Sequence, residues 1–124
     1  MIDFKNATFV KLMNTPNSVF EDLIRPMFVQ GEEIMHSFRA IRDGVVFTNK
    51  RIFAINVQGI TGKKRDFTSL PYSKIQAYSV ETAGLLDLDS ELELWFSGMG
   101  KVKFEFSSGT NVSAICKMIS EKVL

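Results

Sequence analysis

The sequence predicts a mainly β domain, α+β by element count, in which seven antiparallel strands form a bent sandwich or open barrel capped by a C-terminal helix. Three observations carry that reading. Apolar and polar residues alternate in short runs from Glu33 onward, the period of strands with one buried face. The dipeptides Asp43-Gly44 and Asn49-Lys50 separate these runs as tight turns do. After Gly109 the period becomes helical, with Val112, Ile115, Cys116, Ile119 and Val123 on one stripe.

The elements follow in order. Residues 16–28, "PNSVFEDLIRPMF", offer Asn17 and Ser18 as N-caps before Val19, Leu23 and Ile24 at helical spacing, which predicts a short N-terminal helix. Pro26 cannot donate to an interior helical bond, so the helix should stop near Arg25. "EIMHSFRAI" (33–41) then sets Ile34, His36, Phe38 and Ala40 on one face. With "VVFT" (45–48) and "RIFAINV" (51–57) it makes an antiparallel meander. "RDFTSL" (65–70) runs to Pro71, "KIQAYSVE" (74–81) follows, and "AGLLDLDS" (83–90) reads as a connection.

"ELELWF" (91–96) and "VKFEF" (102–106) alternate cleanly and place Leu92, Leu94 and Phe96 on the face of Val102, Phe104 and Phe106. Pairing through Ser97-Gly98-Met99-Gly100 sets Glu93 opposite Lys103 in the preferred register, although a slip by one pair keeps the same faces. Thr110 is the expected N-cap of the last helix.

Composition bounds the function. The 124 residues are 45% hydrophobic, enough for one domain with a proper core. Fifteen basic and fourteen acidic residues leave a net charge of +1, so electrostatic binding must come from a local patch. One cysteine excludes an internal disulfide and suits a reducing compartment. The start, "MIDFKNATFVKLMN", lacks the unbroken apolar stretch of a signal peptide, and no window is long enough to span a bilayer. A cytoplasmic protein, peripheral to the membrane if it meets one, is the expectation.

Seven strands followed by a capping helix is the order of the pleckstrin-homology fold, and the local sequence resembles the bacterial pleckstrin-homology-like group, related in outline to the GRAM modules. The resemblance is carried by "VVFTNKRIFAI" (45–55) with its Thr-x-x-Arg turn, "GKKRDFTSLPYSKI" (62–75) and the terminal helix. It covers about residues 30–124 and leaves residues 1–29 as an N-terminal arm with a short helix. Eukaryotic members usually carry a tryptophan in the last helix, whereas here the one tryptophan, Trp95, lies on a strand. The resemblance implies no enzyme activity and ring-like homo-oligomers.

Candidate sites are few. "GITGKKR" (59–65) places two glycines beside three cations, but a phosphate-cradling Walker loop needs four residues between its glycines and Ser or Thr after the lysine. A calcium loop on Asp87, Asp89 and Glu91 meets Leu92 where the turn glycine belongs and Gly98 where the last carboxylate belongs. His36 and Cys116 are single copies on apolar faces, where packing is the expected role, and no zinc ligand cluster or nucleophile elbow occurs. No catalytic residue, cofactor or metal is therefore assigned. Nucleic acid is also excluded as a partner, because acidic residues interrupt the basic ones and the aromatics sit on core faces.

Two surfaces remain. Lys63, Lys64 and Arg65, with Arg42 and Lys101, form a candidate site for anionic lipid or an acidic peptide partner; the plain alternative is a solvated hairpin tip. Trp95 together with Phe4, Phe9, Val10, Leu12 and Met13 forms a candidate interface for homo-oligomerisation, unless the arm folds back over its own barrel. The resulting expectation is a non-catalytic module that self-assembles, with a monomeric adaptor using the basic loop 62–65 as the alternative.

Overall fold

The computed structural model describes residues 1–4, 8–82 and 89–124. In chain order its elements are β1 (Thr8–Thr15), α1 (Ser18–Ile24), a 3-10 turn (Arg25–Met27), β2 (Ile34–Arg39), β3 (Gly44–Thr48), β4 (Arg51–Gln58) and β5 (Lys64–Pro71). A second 3-10 turn (Tyr72–Lys74), β6 (Ile75–Thr82), β7 (Ser90–Phe96), β8 (Gly100–Phe106) and α2 (Val112–Val123) complete it. The architecture is mainly β with a C-terminal helix, and the described residues hold eight strands where the sequence suggested seven. The chain divides into two compact units, residues 14–71 with Met1, and residues 2–13 with 72–124.

In the first unit β2, β3 and β4 form the expected meander and β5 extends it, each strand antiparallel to the next. Every residue of β3 is buried. The core is Phe20, Ile24, Val46, Phe53 and Ile55, with Leu23, Phe28, Ile34 and Phe67 packed against it. The α-helix stops at Ile24, and Pro26 falls within the 3-10 turn that follows. Its buried residues are Phe20 and Ile24, whereas Val19, expected on the apolar stripe, is 42% exposed.

In the second unit the sheet order is β1, β8, β7, β6. Glu93 pairs with Lys103 and Leu94 with Val102, the register preferred from the sequence. Leu92, Leu94, Phe96, Val102, Phe104 and Phe106 are all buried. The last helix buries Val112, Ile115, Cys116 and Ile119. Its N-cap is Asn111 rather than Thr110, with the Asn111 Oδ1 accepting the Ala114 N–H at 3.1 Å.

The strand absent from the sequence reading is β1. It runs parallel to β8, with Thr8 beside Lys103, Phe9 beside Phe104 and Leu12 beside Phe106. Lys11 sits in the left-handed region at φ 55°, and the register shifts between Phe9 and Leu12. This kink puts two residues three apart onto the buried side, which a regular pleat cannot do. Phe9 is 5% exposed and Leu12 fully buried. The segment expected as an outlying arm therefore supplies a strand to the β8 sheet.

Candidate functional site

Glycine conformation shapes the basic tip. Gly59 and Gly62 both have positive φ, 79° and 69°, and the Gly62 N–H donates to the Gly59 carbonyl at 3.3 Å. This turn leaves Ile60 fully exposed and Lys63, Lys64 and Arg65 on the surface. The neighbouring turn before β3 is closed by the Ala40 N–H donating to the Asp43 carbonyl at 2.9 Å.

Two bonds tie the turns together. Arg42 donates through Nη2 to the Gly59 carbonyl, and the Val57 N–H donates to Asp43 Oδ1 at 3.1 Å. The structure thus brings Arg42 to the Lys63, Lys64 and Arg65 loop. Lys101 is engaged otherwise, pairing with Glu93 at 3.7 Å and lying 5.3 Å from the centroid of the Trp95 ring. Asp66, next to Arg65, accepts from the Met1 amino group, and that bond holds its carboxyl below the ordinary range.

The candidate interface residues divide between inside and outside. Phe9 packs 5.7 Å from the Phe104 ring, and Phe4 meets Phe96 edge-on at 6.3 Å. Gly100, at φ 126°, permits that second approach, because an added Cβ would lie 3.2 Å from the Phe4 Cβ. Phe9 and Leu12 are thereby removed as interface candidates, because burying them in their own sheet is already their role. Val10 (48%), Met13 (61%) and Trp95 (44%) remain exposed. Around Trp95, β7 and β8 present a charged ladder in which Lys103 also pairs diagonally with Glu91 at 3.2 Å.

The Thr-x-x-Arg turn closes around a buried carboxylate. Glu32, its side chain wholly withdrawn from solvent, accepts from Arg51 Nε at 3.0 Å and Nη2 at 2.9 Å, from Thr48 Oγ1 at 2.7 Å and from the Val29 N–H at 3.0 Å. The Arg51 guanidinium also lies 4.4 Å over the Phe53 ring and donates to Ser69 Oγ at 3.2 Å. Burial alone would raise the Glu32 carboxyl, but the bonds from Arg51, Thr48 and Val29 outweigh it and hold it below 4.5. Glu32 was not singled out in the sequence. Its signal was faint: one acid of a Glu-Glu pair ahead of a strand.

Groups with catalytic potential are placed for packing. The Cys116 thiol is pushed up by burial, away from the reactive thiolate. Burial likewise lowers His36, which stands across from Phe47 on β3. Among the described residues no three or more His, Cys, Asp or Glu side chains gather as a metal site, and no helix is long and apolar enough to cross a membrane. Asp87, the first position of the calcium-loop spacing, lies outside the described residues. A cleft of about 260 Å³ between β6 and α2, lined by Ile75, Ala77, Tyr78, Ile119 and Val123, is below the usual size of ligand pockets.

Comparison with known proteins agrees with this architecture. The family model described as bacterial PH domain matches residues 3–123, and so takes in the segment expected to lie outside it. Uncharacterized protein YjqA of Bacillus subtilis is 43% identical over 96 residues, covering 76% of this chain and 77% of its own length. The crystal structure of a DUF1696 family protein with a pleckstrin-homology domain, from Shewanella loihica, superposes with a TM-score of 0.80 at 38% identity, over 94% of this chain and all of that one. A pleckstrin homology domain from Shewanella amazonensis gives 0.67 at 38% identity, over 89% and 90% of the two chains. Matched over nearly its full length, the chain belongs to the bacterial PH domain family.

Proposed function

We propose that the chain is a non-catalytic interaction module that assembles with copies of itself into a closed ring. The observation that carries this reading is the pair of strands ending the two sheets. Among the described residues β6 is bonded in its sheet to β7 alone, and apart from Tyr78 its side chains from Gln76 to Thr82 are exposed. In the other sheet β5 ends the order beside β4. Long open edges template pairing with another chain, and joining two different edges head to tail gives a ring when the rotation closes.

The two edges complement one another. Both strands are eight residues long, and laying β5 of one copy antiparallel along β6 of the next sets Lys64 against Thr82 and Arg65 against Glu81. Val10, Met13 and the Trp95 indole add exposed apolar surface of the kind concentrated at protein interfaces.

Light scattering across a dilution series tests the reading. A discrete multiple of the 14.0 kDa chain that survives dilution is expected, and a stable monomer would reject assembly. Charge reversal then tests the edges. Arg65→Glu and Glu81→Arg should each dissociate the assembly, and mixing the two variants should restore it, because each then supplies the partner the other lacks. Undisturbed assembly in both variants would move the contact elsewhere.

A further inference from the structure

We propose that the cleft between β6 and α2 captures an extended segment of another protein, which adds to the open edge of β6 as a strand and places one large apolar side chain in the cleft. Capture goes beyond self-assembly and does not rest on it. The segment takes the edge that the ring gives to β5 of the next copy, so the two compete.

Cleft and edge lie within the second unit and share residues. Ile75, Ala77 and Tyr78 of β6 and Ile119, Ser120 and Val123 of α2 line a volume of about 260 Å³. An apolar cavity of roughly 150 Å³ takes a benzene ring, so this one accepts a leucine or phenylalanine side chain and is too small for a whole cofactor. Among the described residues no strand lies beside β6 on the side away from β7, which leaves alternate backbone N–H and C=O groups open to a new strand. A strand laid there turns every second side chain toward α2. Val80 lies on the same face as Tyr78, since both pair with buried leucines of β7, and it is exposed. It extends the apolar floor along the edge.

A polar pair in the cleft suits a peptide backbone. The Tyr78 and Ser120 hydroxyls lie 2.8 Å apart and share one hydrogen bond, which leaves one hydroxyl hydrogen to donate to a carbonyl of the added strand. Lys117, three residues before Ser120 on the same flank of α2, is exposed and has no ion pair among the described residues. It favours an acidic residue beside the apolar anchor.

The β5 strand of a second copy does not fill the cleft. In the ring register Asp66 and Thr68 stand opposite Val80 and Tyr78. Asp66 accepts from the Met1 amino group, and Thr68 is buried in its own unit, as is Leu70, the next apolar residue on that face. The anchor therefore comes from another protein.

Selection from a display library of random short peptides tests capture. The bait is the full-length Arg65→Glu chain, which should not assemble and keeps β6 unaltered. Enriched peptides are expected to share Leu, Ile, Met or Phe at one position with Asp or Glu beside it. No enrichment, or enrichment without a shared apolar position, would overturn the proposal. The strongest peptide is then synthesised with a fluorescent label and titrated by anisotropy. Replacing its anchor by Ala should weaken binding by about tenfold or more. N-methylating one of its two alternating sets of amides, but not the other, should do the same, because only one set pairs with β6. Ala77→Phe fills the cleft from an exposed position and should abolish binding at an unchanged thermal midpoint. Lys117→Glu should weaken binding, and exchanging the peptide's acid for Lys should restore it. Undiminished binding after anchor removal, after N-methylation of both sets, or in a folded Ala77→Phe chain would overturn the proposal. In wild type, saturating peptide should lower the mass seen by light scattering toward 14.0 kDa. An assembly of unchanged mass carrying bound peptide would overturn the shared edge. Wild type that is monomeric without peptide rejects the ring alone, and the binding results still decide the cleft.

Discussion

The first unit hides its principal ion pair while the second displays its pairs. Glu32 is fully withdrawn from water and holds Arg51 through two hydrogen bonds, whereas Glu91, Glu93, Lys101 and Lys103 stand partly exposed across β7 and β8. Similar chemistry thus has different consequences. A buried charge without its partner has no water to fall back on, while an exposed one is rehydrated at little cost. The first pair specifies how the β3–β4 turn sits against the chain before β2. The second set shapes a surface.

The sharpest way to break that comparison is Arg51→Ala, which leaves the Glu32 carboxylate buried and unpaired. It should cost about 3–5 kcal/mol in denaturant unfolding. Replacing both members, Glu32→Leu with Arg51→Met, should recover most of that loss, because no isolated charge then remains. A double variant no more stable than Arg51→Ala would show that the bonds to Thr48 and Ser69 matter more than the pair.

Acid sharpens the contrast next. Because Glu32 titrates below 4.5 in the folded chain, the unfolded chain binds its proton more readily. Its stabilising contribution is complete above 4.5 and is lost as pH falls through the lower folded value. Arg51→Met removes the strongest opposing bonds and leaves burial in charge, so the folded Glu32 carboxyl should rise past its unfolded value and its share of the acid-induced decline should disappear from the variant. Thermal midpoints between pH 7 and 3 would show the difference. Coincident profiles for variant and wild type would assign the acid sensitivity to other carboxylates.

The smallest effect is expected on the displayed ladder. Lys103→Ala removes the 3.2 Å contact with Glu91 from a solvated face and should leave the unfolding midpoint unchanged within error. A clear drop would mean that the ladder acts as a network rather than as separate pairs.

Legibility in the sequence followed regularity. The strands from β2 to β8 announced themselves through alternation and turn dipeptides, and even the Glu93 and Lys103 register could be preferred from charge. The strand β1 could not be read this way. In "TFVKLMNT" the left-handed Lys11 interrupts the pleat, so Phe9 and Leu12 point inward without the expected spacing of two. For the same reason the exposed and buried members of the N-terminal segment could not be sorted. The basic loop was visible at once from its three cations. Its tie to Arg42 was not, since the turn bond between Arg42 and Gly59 has no signature in sequence.

The pairing of β1 with β8 also has a consequence in time. The two strands stand about 95 residues apart in the sequence, as Thr8 beside Lys103 illustrates. The β2–β5 hairpins need only local partners and can form while synthesis continues, but β1 must wait until β8 has been made. Until then Phe9 and Leu12 have nowhere to go. A ribosome paused after β5 would therefore present a folded meander trailing an unburied, aggregation-prone N-terminal strand, the form a chaperone would meet first.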